Sequence, residues 1–150
     1  MSLKQKIAED LKSAMKAGET TKRDTLRMLD SMVKNVEIEK KKREAGLDDE
    51  ELQEVVMKAI KQRRDAIEQY RSGGREDLVE KENAEMMVLQ EYMPAQMSEE
   101  EVSVEVKKII DETGATSKAE IGKVMGMAMG RLKGKADGNL VKKMVEEKLQ

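Results

Sequence analysis

The sequence predicts an all-α protein: an N-terminal bundle of about four helices followed by a small C-terminal three-helix domain. Three observations carry this. Aromatic residues are nearly absent, with no Phe, no Trp and two Tyr. Ala, Leu, Ile, Val and 13 Met must therefore fill any core, and such slim side chains suit helix-on-helix packing better than a sandwich. Only one proline interrupts 150 residues, and apolar residues recur at three- and four-residue intervals, the spacing of one helix face.

The first helix carries Leu3, Ile7, Leu11 and Met15, opens on a Ser2/Gln5 capping box and closes at Gly18. A second starts at Thr21, with Asp24 three residues on, and turns Leu26, Leu29, Val33 and Val36 inward. It dissolves in the charged stretch 39–44 and stops near Gly46. Asp48 or Asp49 caps a third helix through Leu52, Val56, Ile60, Ile67 and Tyr70, ended by the Gly73-Gly74 turn. The fourth begins around Asp77, carries Leu78, Leu89 and Tyr92, and must end before Pro94.

Beyond the proline, Ser98 and Glu101 form a further capping box for a helix with Val102, Val106, Ile109 and Ile110, ended by Gly114. Ser117 and Glu120 open the next, whose inner face is Ile121, Val124, Met125, Ala128 and Leu132. Asp137 caps the last, which carries Leu140, Val141, Met144, Val145 and Leu149. Residues 1–93 are thus expected to form the bundle, 94–98 a hinge marked by Tyr92, Pro94 and Gln96, and 99–150 the three-helix domain. No strand is expected.

The absence of Cys and His removes disulfides, thiolate and imidazole catalysis, the usual zinc sites and ExxH di-iron bundles. No catalytic residue, metal site or cofactor is expected. No apolar run approaches the roughly 18 residues that span a bilayer, and MSLKQKIAED lacks a signal-peptide core, so the expectation is a cytoplasmic protein without membrane contact. The net charge of −2 hides an asymmetry: residues 99–120 carry seven acids against three Lys, and residues 123–150 carry seven Lys/Arg against three acids.

Three features stand out from this helical background. Glu82 and Glu85 fall inside the apolar stripe of the fourth helix, and Arg63 falls inside that of the third. If the glycine turn makes the two helices antiparallel neighbours, Arg63 faces Glu85 with Glu82 within a turn, and a guanidinium forked onto a carboxylate would fix their register. The structural reading is preferred to a polar recognition surface, and no further hard ligands accompany the two Glu to suggest a metal.

The second feature is the row Gly122, Gly126, Gly130, interleaved with Met125, Met127 and Met129. Each mid-helix glycine costs about 1 kcal/mol relative to Ala. The plainer reading is close packing against a neighbouring helix, with the methionines in or at the edge of the core. The other is close approach of a partner backbone, such as a phosphodiester chain. The third feature is basic: Lys123, Arg131, Lys133, Lys135, Lys142 and Lys143 surround the turn Gly134-Lys135-Ala136-Asp137-Gly138. There Gly134, Gly138 and a helix N-terminus offer backbone N–H groups beside several cations, a candidate phosphate seat. It is not a P-loop, since GRLKGKA has the wrong spacing and follows a helix.

The stretch KQRRDAIEQYRSGGREDLVEKENAEMMVLQEYMPAQMSEEEV, followed by GATSKAEIGKVMG and GKADGNLV, resembles the YqeY-like proteins. These are stand-alone relatives of the tail domain of GatB, a component of the glutamine-dependent tRNA amidotransferase. The resemblance runs essentially end to end. Its most specific parts are Lys61-Gln62-Arg63, Arg75 with Asp77-Leu78, the joint Tyr92-Met93-Pro94-Ala95-Gln96, and Lys135-Ala136-Asp137-Gly138. It implies two helical parts and a connection to tRNA, because the amidotransferase tail recognises the tRNA body. The activity attached to the family is that of a carbon–nitrogen ligase using glutamine as amido donor. The kinase-like cradle of GatB and the amidase centre of its companion polypeptide are absent from this sequence.

The expectation is therefore a tRNA-binding accessory protein linked to amidotransferase chemistry, without a catalytic centre of its own. Its tRNA contacts would be Lys123, Arg131, Lys133, Lys135, Lys142 and Lys143. The cluster Lys61, Gln62, Arg63, Arg75, Glu82 and Glu85 would be structural. The alternative is a protein–protein adaptor that docks on amidotransferase subunits or an aminoacyl-tRNA synthetase, marked by Met127 or Met129 outside the core. DNA is not expected as a partner.

Overall fold

A computed structural model describes residues 1–149. It is all-helical among those residues: α1 (Leu3–Ala17), α2 (Thr20–Glu39), α3 (Asp49–Ser72), α4 (Glu76–Gln90), α5 (Glu99–Thr113), α6 (Ile121–Leu132) and α7 (Gly138–Lys148). None of these is long and apolar enough to cross a membrane. The chain forms two compact units, divided between Met93 and Pro94.

In the first unit, α1 opens on the reciprocal Ser2/Gln5 box and closes at Gly18 with φ +72°, a left-handed turn that glycine adopts without a Cβ clash. Its buried face is set by Ile7 and Ala14, so Met15, expected inside, is half-exposed. The expected start of α2 is also corrected. Thr21 does not cap it; the helix begins at Thr20 after Glu19, whose side chain makes no cap bond, and Asp24 bonds instead to Arg23. The Gly18 corner accounts for this, because it carries the Glu19 N–H back to the Ala14 carbonyl and leaves Thr21 already within the first turn.

Asp48 caps α3, and Glu51 returns the bond to its backbone. Leu26, Leu29, Val33, Leu52, Val55, Val56, Ala59, Ile60, Leu89 and Tyr92 form the core of this unit. Leu78, expected inward on α4, is half-buried while Val79 is buried, because α4 must serve both α3 and α2.

In the second unit, Ser98 accepts a bond from the Glu101 N–H at the start of α5, and Gly114 ends that helix at φ +69°. The expected Ser117 cap is absent. A single 3₁₀ turn, Lys118–Glu120, precedes α6, and the Glu120 carboxylate accepts the Thr116 N–H at 2.7 Å. Val102, Val106, Ile109, Val124, Ala128, Leu132, Val141, Val145 and Leu149 close the core around which α5, α6 and α7 pack.

Candidate nucleic-acid interface

The buried stripe of α6 is Val124, Ala128 and Leu132. At 100° per residue the opposite side holds Gly122, Gly126 and Gly130, and all three are exposed. A Cβ built on any of them meets nothing within 4 Å. The expectation that these glycines pack against a neighbouring helix of the same unit is thus corrected: among the described residues, nothing packs against this face. Met129 borders the row and is 41% exposed, whereas Met125 and Met127 are half-buried against the core. The outcome is a helix whose outer face carries a row of glycines flanked by Met129 and Lys123.

Cations are numerous on the surface of this unit, with Lys123 next to the glycines on α6 itself. Lys123, Lys133, Lys135, Lys142 and Lys143 are exposed. Arg131 is exposed too, but it forks onto Glu112 of α5, with Nη1 3.2 Å from Oε1 and Nη2 bonded to Oε2. The guanidinium holds Glu112 below the usual carboxylate range, and the carboxylate raises Arg131 in return. Arg131 therefore reaches solvent as half of an exposed ion pair.

At the expected backbone phosphate seat, Asp137 caps α7 and accepts the Asn139 N–H at 3.0 Å. A Cβ at Gly138 would lie 3.1 Å from Met129 Cε, so that methyl would have to shift to admit one. Gly134, at φ +76°, shapes the turn. Its carbonyl accepts Gln96 Nε2 at 2.9 Å, and the Lys135 carbonyl accepts the Met97 N–H at 2.8 Å.

The residues expected to mark a hinge divide between the two units. Tyr92 is buried in the first core, where its hydroxyl donates to Asp10 Oδ2 at 2.6 Å and Lys6 Nζ lies 5.5 Å from the ring centroid. Burial and the Asp10 carboxylate push the phenol well above its ordinary range. Gln96 is tied to the second unit through Gly134, and its amide also reaches the Pro94 carbonyl at 3.0 Å.

The polar cluster expected from the family motif is brought together only in part. Arg63 and Glu85 meet across α3 and α4, Nε to Oε2 at 3.6 Å, with side chains 13% and 19% exposed. The fork is absent. Arg63 Nη1 bonds the Ala59 carbonyl at 3.3 Å and Nη2 reaches Met28 Sδ at 3.6 Å, leaving Nε buried without a hydrogen bond. Burial and the neighbouring Glu82 raise Glu85 more than Arg63 lowers it. Lys61 and Gln62 lie on the surface, and Arg75 pairs with Asp77 at 3.1 Å on an exposed corner.

Sequence reasoning missed Glu37. It follows Val33 by four residues and is 4% exposed, with both carboxylate oxygens held by Lys4 Nζ at 3.1 and 3.2 Å. The signal was a carboxylate continuing the apolar stripe Leu26, Leu29, Val33, the same kind of interruption that draws attention to Glu85.

Architecture and surface define the class: an all-helical, cysteine- and histidine-free protein with a basic, glycine-faced outer helix. The chain belongs to the family described as "Yqey-like protein", which it matches over residues 4–149. Its curated relatives include "Altered inheritance of mitochondria protein 41, mitochondrial" of Eremothecium gossypii, 38% identical over 112 residues, covering 73% of this chain and 60% of that protein. The protein of the same name in Kluyveromyces lactis is 39% identical over 108 residues, covering 71% and 57%. That of Saccharomyces cerevisiae strain YJM789 is 35% identical over 122 residues, covering 78% and 65%. The chain thus spans about three fifths of the length of these relatives. Their names place them in mitochondria, which overturns the cytoplasmic expectation drawn from the amino-terminal residues.

Proposed function

We propose that the chain is a tail-like tRNA-binding accessory protein linked to tRNA-dependent amidotransferase chemistry, with no catalytic centre of its own. The two units would act as separate domains, 1–93 and 99–150, joined by 94–98, with the tRNA surface on the second. The observation that carries this reading is the outward glycine face of α6, on a unit that also exposes Lys123, Lys133, Lys135, Lys142 and Lys143. Three glycines that nothing in their own unit requires cost helix stability. An approaching sugar–phosphate backbone gives them a use: it needs a surface without protruding side chains, and cations beside it to take the place of condensed counterions. Lys133→Glu with Lys142→Glu is expected to weaken binding of total tRNA at least about tenfold and to flatten its salt dependence by about one unit for each phosphate no longer neutralised. Unchanged affinity in that variant would end this reading.

A second reading is favoured by one observation, the exposure of Met129 at the edge of the glycine row. A protein helix laid on the same ridge would use that methionine as an apolar contact, and the chain would then be an adaptor on an amidotransferase subunit or an aminoacyl-tRNA synthetase. Met129→Glu separates the two: it blocks an apolar helix contact strongly, and affects tRNA binding by no more than one added negative charge.

A further inference from the structure

We infer that the first unit carries a phosphate-binding cleft of its own, where α1, the end of α2 and the connection into α3 meet. A cleft of about 320 Å³ there is lined by Lys4, Lys34, Glu37, Ile38 and Arg43. Three segments deliver its cations: Lys4 from α1, Lys34 from α2 and Arg43 from the connection. None of them belongs to the surface described above.

The cleft is built by the local backbone. The Lys41 N–H bonds the Ile38 carbonyl, the Lys42 N–H bonds that of Glu37 at 2.7 Å, and the Gly46 N–H bonds that of Lys42 at 2.8 Å. Lys41 is held at φ +56°, a left-handed conformation that is unfavourable for a residue with a side chain. Gly46 sits at φ +76°, and a Cβ there would lie 3.0 Å from Lys4 Nζ. The Lys4 ammonium lies against this turn and rests on buried Glu37.

The charges leave the cleft positive. Glu37 has both oxygens occupied by Lys4, whose ammonium retains a third N–H. Of the four consecutive cations 40–43, Lys40 and Lys42 fold onto Glu51 at 3.0 and 2.7 Å. Lys41 and Arg43 have no ion-pair partner among the described residues. Lys34 pairs with Asp30 at 2.8 Å, but both side chains are exposed, so the pair is weak and gives way readily to a doubly charged anion. A guanidinium and two ammoniums converging on one cleft suit a phosphate group, which Arg binds bidentately and Lys as point charges.

The phosphate has two sources, an RNA backbone or the free anion, and the RNA source rests on the tRNA-binding reading. The test uses the full chain with two probes, inorganic phosphate followed by amide NMR shifts at 41–46, and total tRNA followed by anisotropy at several salt concentrations. The variant is Lys34→Gln with Arg43→Gln, two exposed positions outside the core. The expected result is about tenfold weaker tRNA binding with a salt slope shallower by about one to two units, with Arg43→Lys retaining most of the affinity. Saturable phosphate shifts that disappear in the variant, with tRNA binding unchanged, would assign the cleft to the free anion. If wild type binds tRNA, Lys133→Glu/Lys142→Glu loses it, and the cleft variant matches wild type with both probes, the cleft inference fails while the tRNA reading stands. Absence of binding to either probe overturns both.

Discussion

Two places in this molecule break the rules of helix design, and they break them in opposite directions. On α3 and α4, charged residues occupy positions that belong to the core; on α6, glycines occupy positions that belong to solvent. The first anomaly is absorbed locally. Arg63 finds Glu85, the Ala59 carbonyl and Met28, all within its own unit. The second is absorbed by nothing, since the space beside Gly122, Gly126 and Gly130 is open. A costly feature whose partners lie within the fold serves the fold. One whose partners do not is where an outside partner is to be sought.

The largest effect expected from testing this contrast is on the inward side. Arg63→Ala should cost about 2 kcal/mol, because it leaves Glu85 largely buried beside Glu82 without its cation. Chemical denaturation checks this, with exposed Lys61→Ala as a control expected within about 0.5 kcal/mol of wild type. An Arg63→Ala loss no greater than that of the control would place the pair at the surface and erase the contrast.

On the outward side the sign reverses. Gly126→Ala and Gly130→Ala should each raise stability by roughly 0.5–1 kcal/mol, since both have open space and helical backbone. The same changes should weaken tRNA binding, because each methyl holds a backbone away from the ridge. Greater stability together with poorer binding is the signature of a residue kept for a partner. Greater stability with unchanged binding would show that the ridge is idle.

Smaller effects come from protons. Glu85 has its folded-state pKa raised by burial, so the native state takes up its proton more readily than the unfolded chain. Its contribution is therefore favourable at low pH and is lost as pH rises through the raised value. Glu85→Gln, which keeps the neutral form at every pH, should consequently remove that dependence from a pH–stability profile. Glu51 behaves oppositely: Lys42 and Lys40 pull it from 4.5 to about 2. Its contribution is present above pH 4.5 and fades as pH falls toward 2, and Glu51→Gln should flatten the acid limb of a pH–stability profile.

Much of this is legible in the sequence. Every helix is visible from its apolar spacing, and the Ser2 and Asp48 caps from their own side chains. The departures have physical causes. Spacing puts Met15 inside because a four-residue stripe and a three-residue stripe differ by one step, and tertiary packing chooses Ala14. The Thr21 cap fails because Gly18 turns the chain so tightly that the helix is already under way. The facing of Arg63 and Glu85 follows from counting across a two-glycine turn, but their 3.6 Å separation does not, because Ala59 and Met28 compete for the guanidinium. The orientation of the glycine row is contained in the same periodicity that places Val124, Ala128 and Leu132 inside. A row of small residues suggests a buried helix contact by habit, and here that habit misleads. Spacing likewise cannot show that Asp137 closes its own helix end or that Arg131 spends its charge on Glu112.

The most direct test of the central claim is an anisotropy titration of the full chain with total tRNA at low and moderate salt, wild type beside Lys133→Glu/Lys142→Glu. Saturable binding that weakens steeply with salt, and that the charge reversal reduces at least about tenfold with a shallower slope, is the predicted result. Wild-type protein that binds no tRNA at low salt would contradict the account and leave the glycine face to a protein partner.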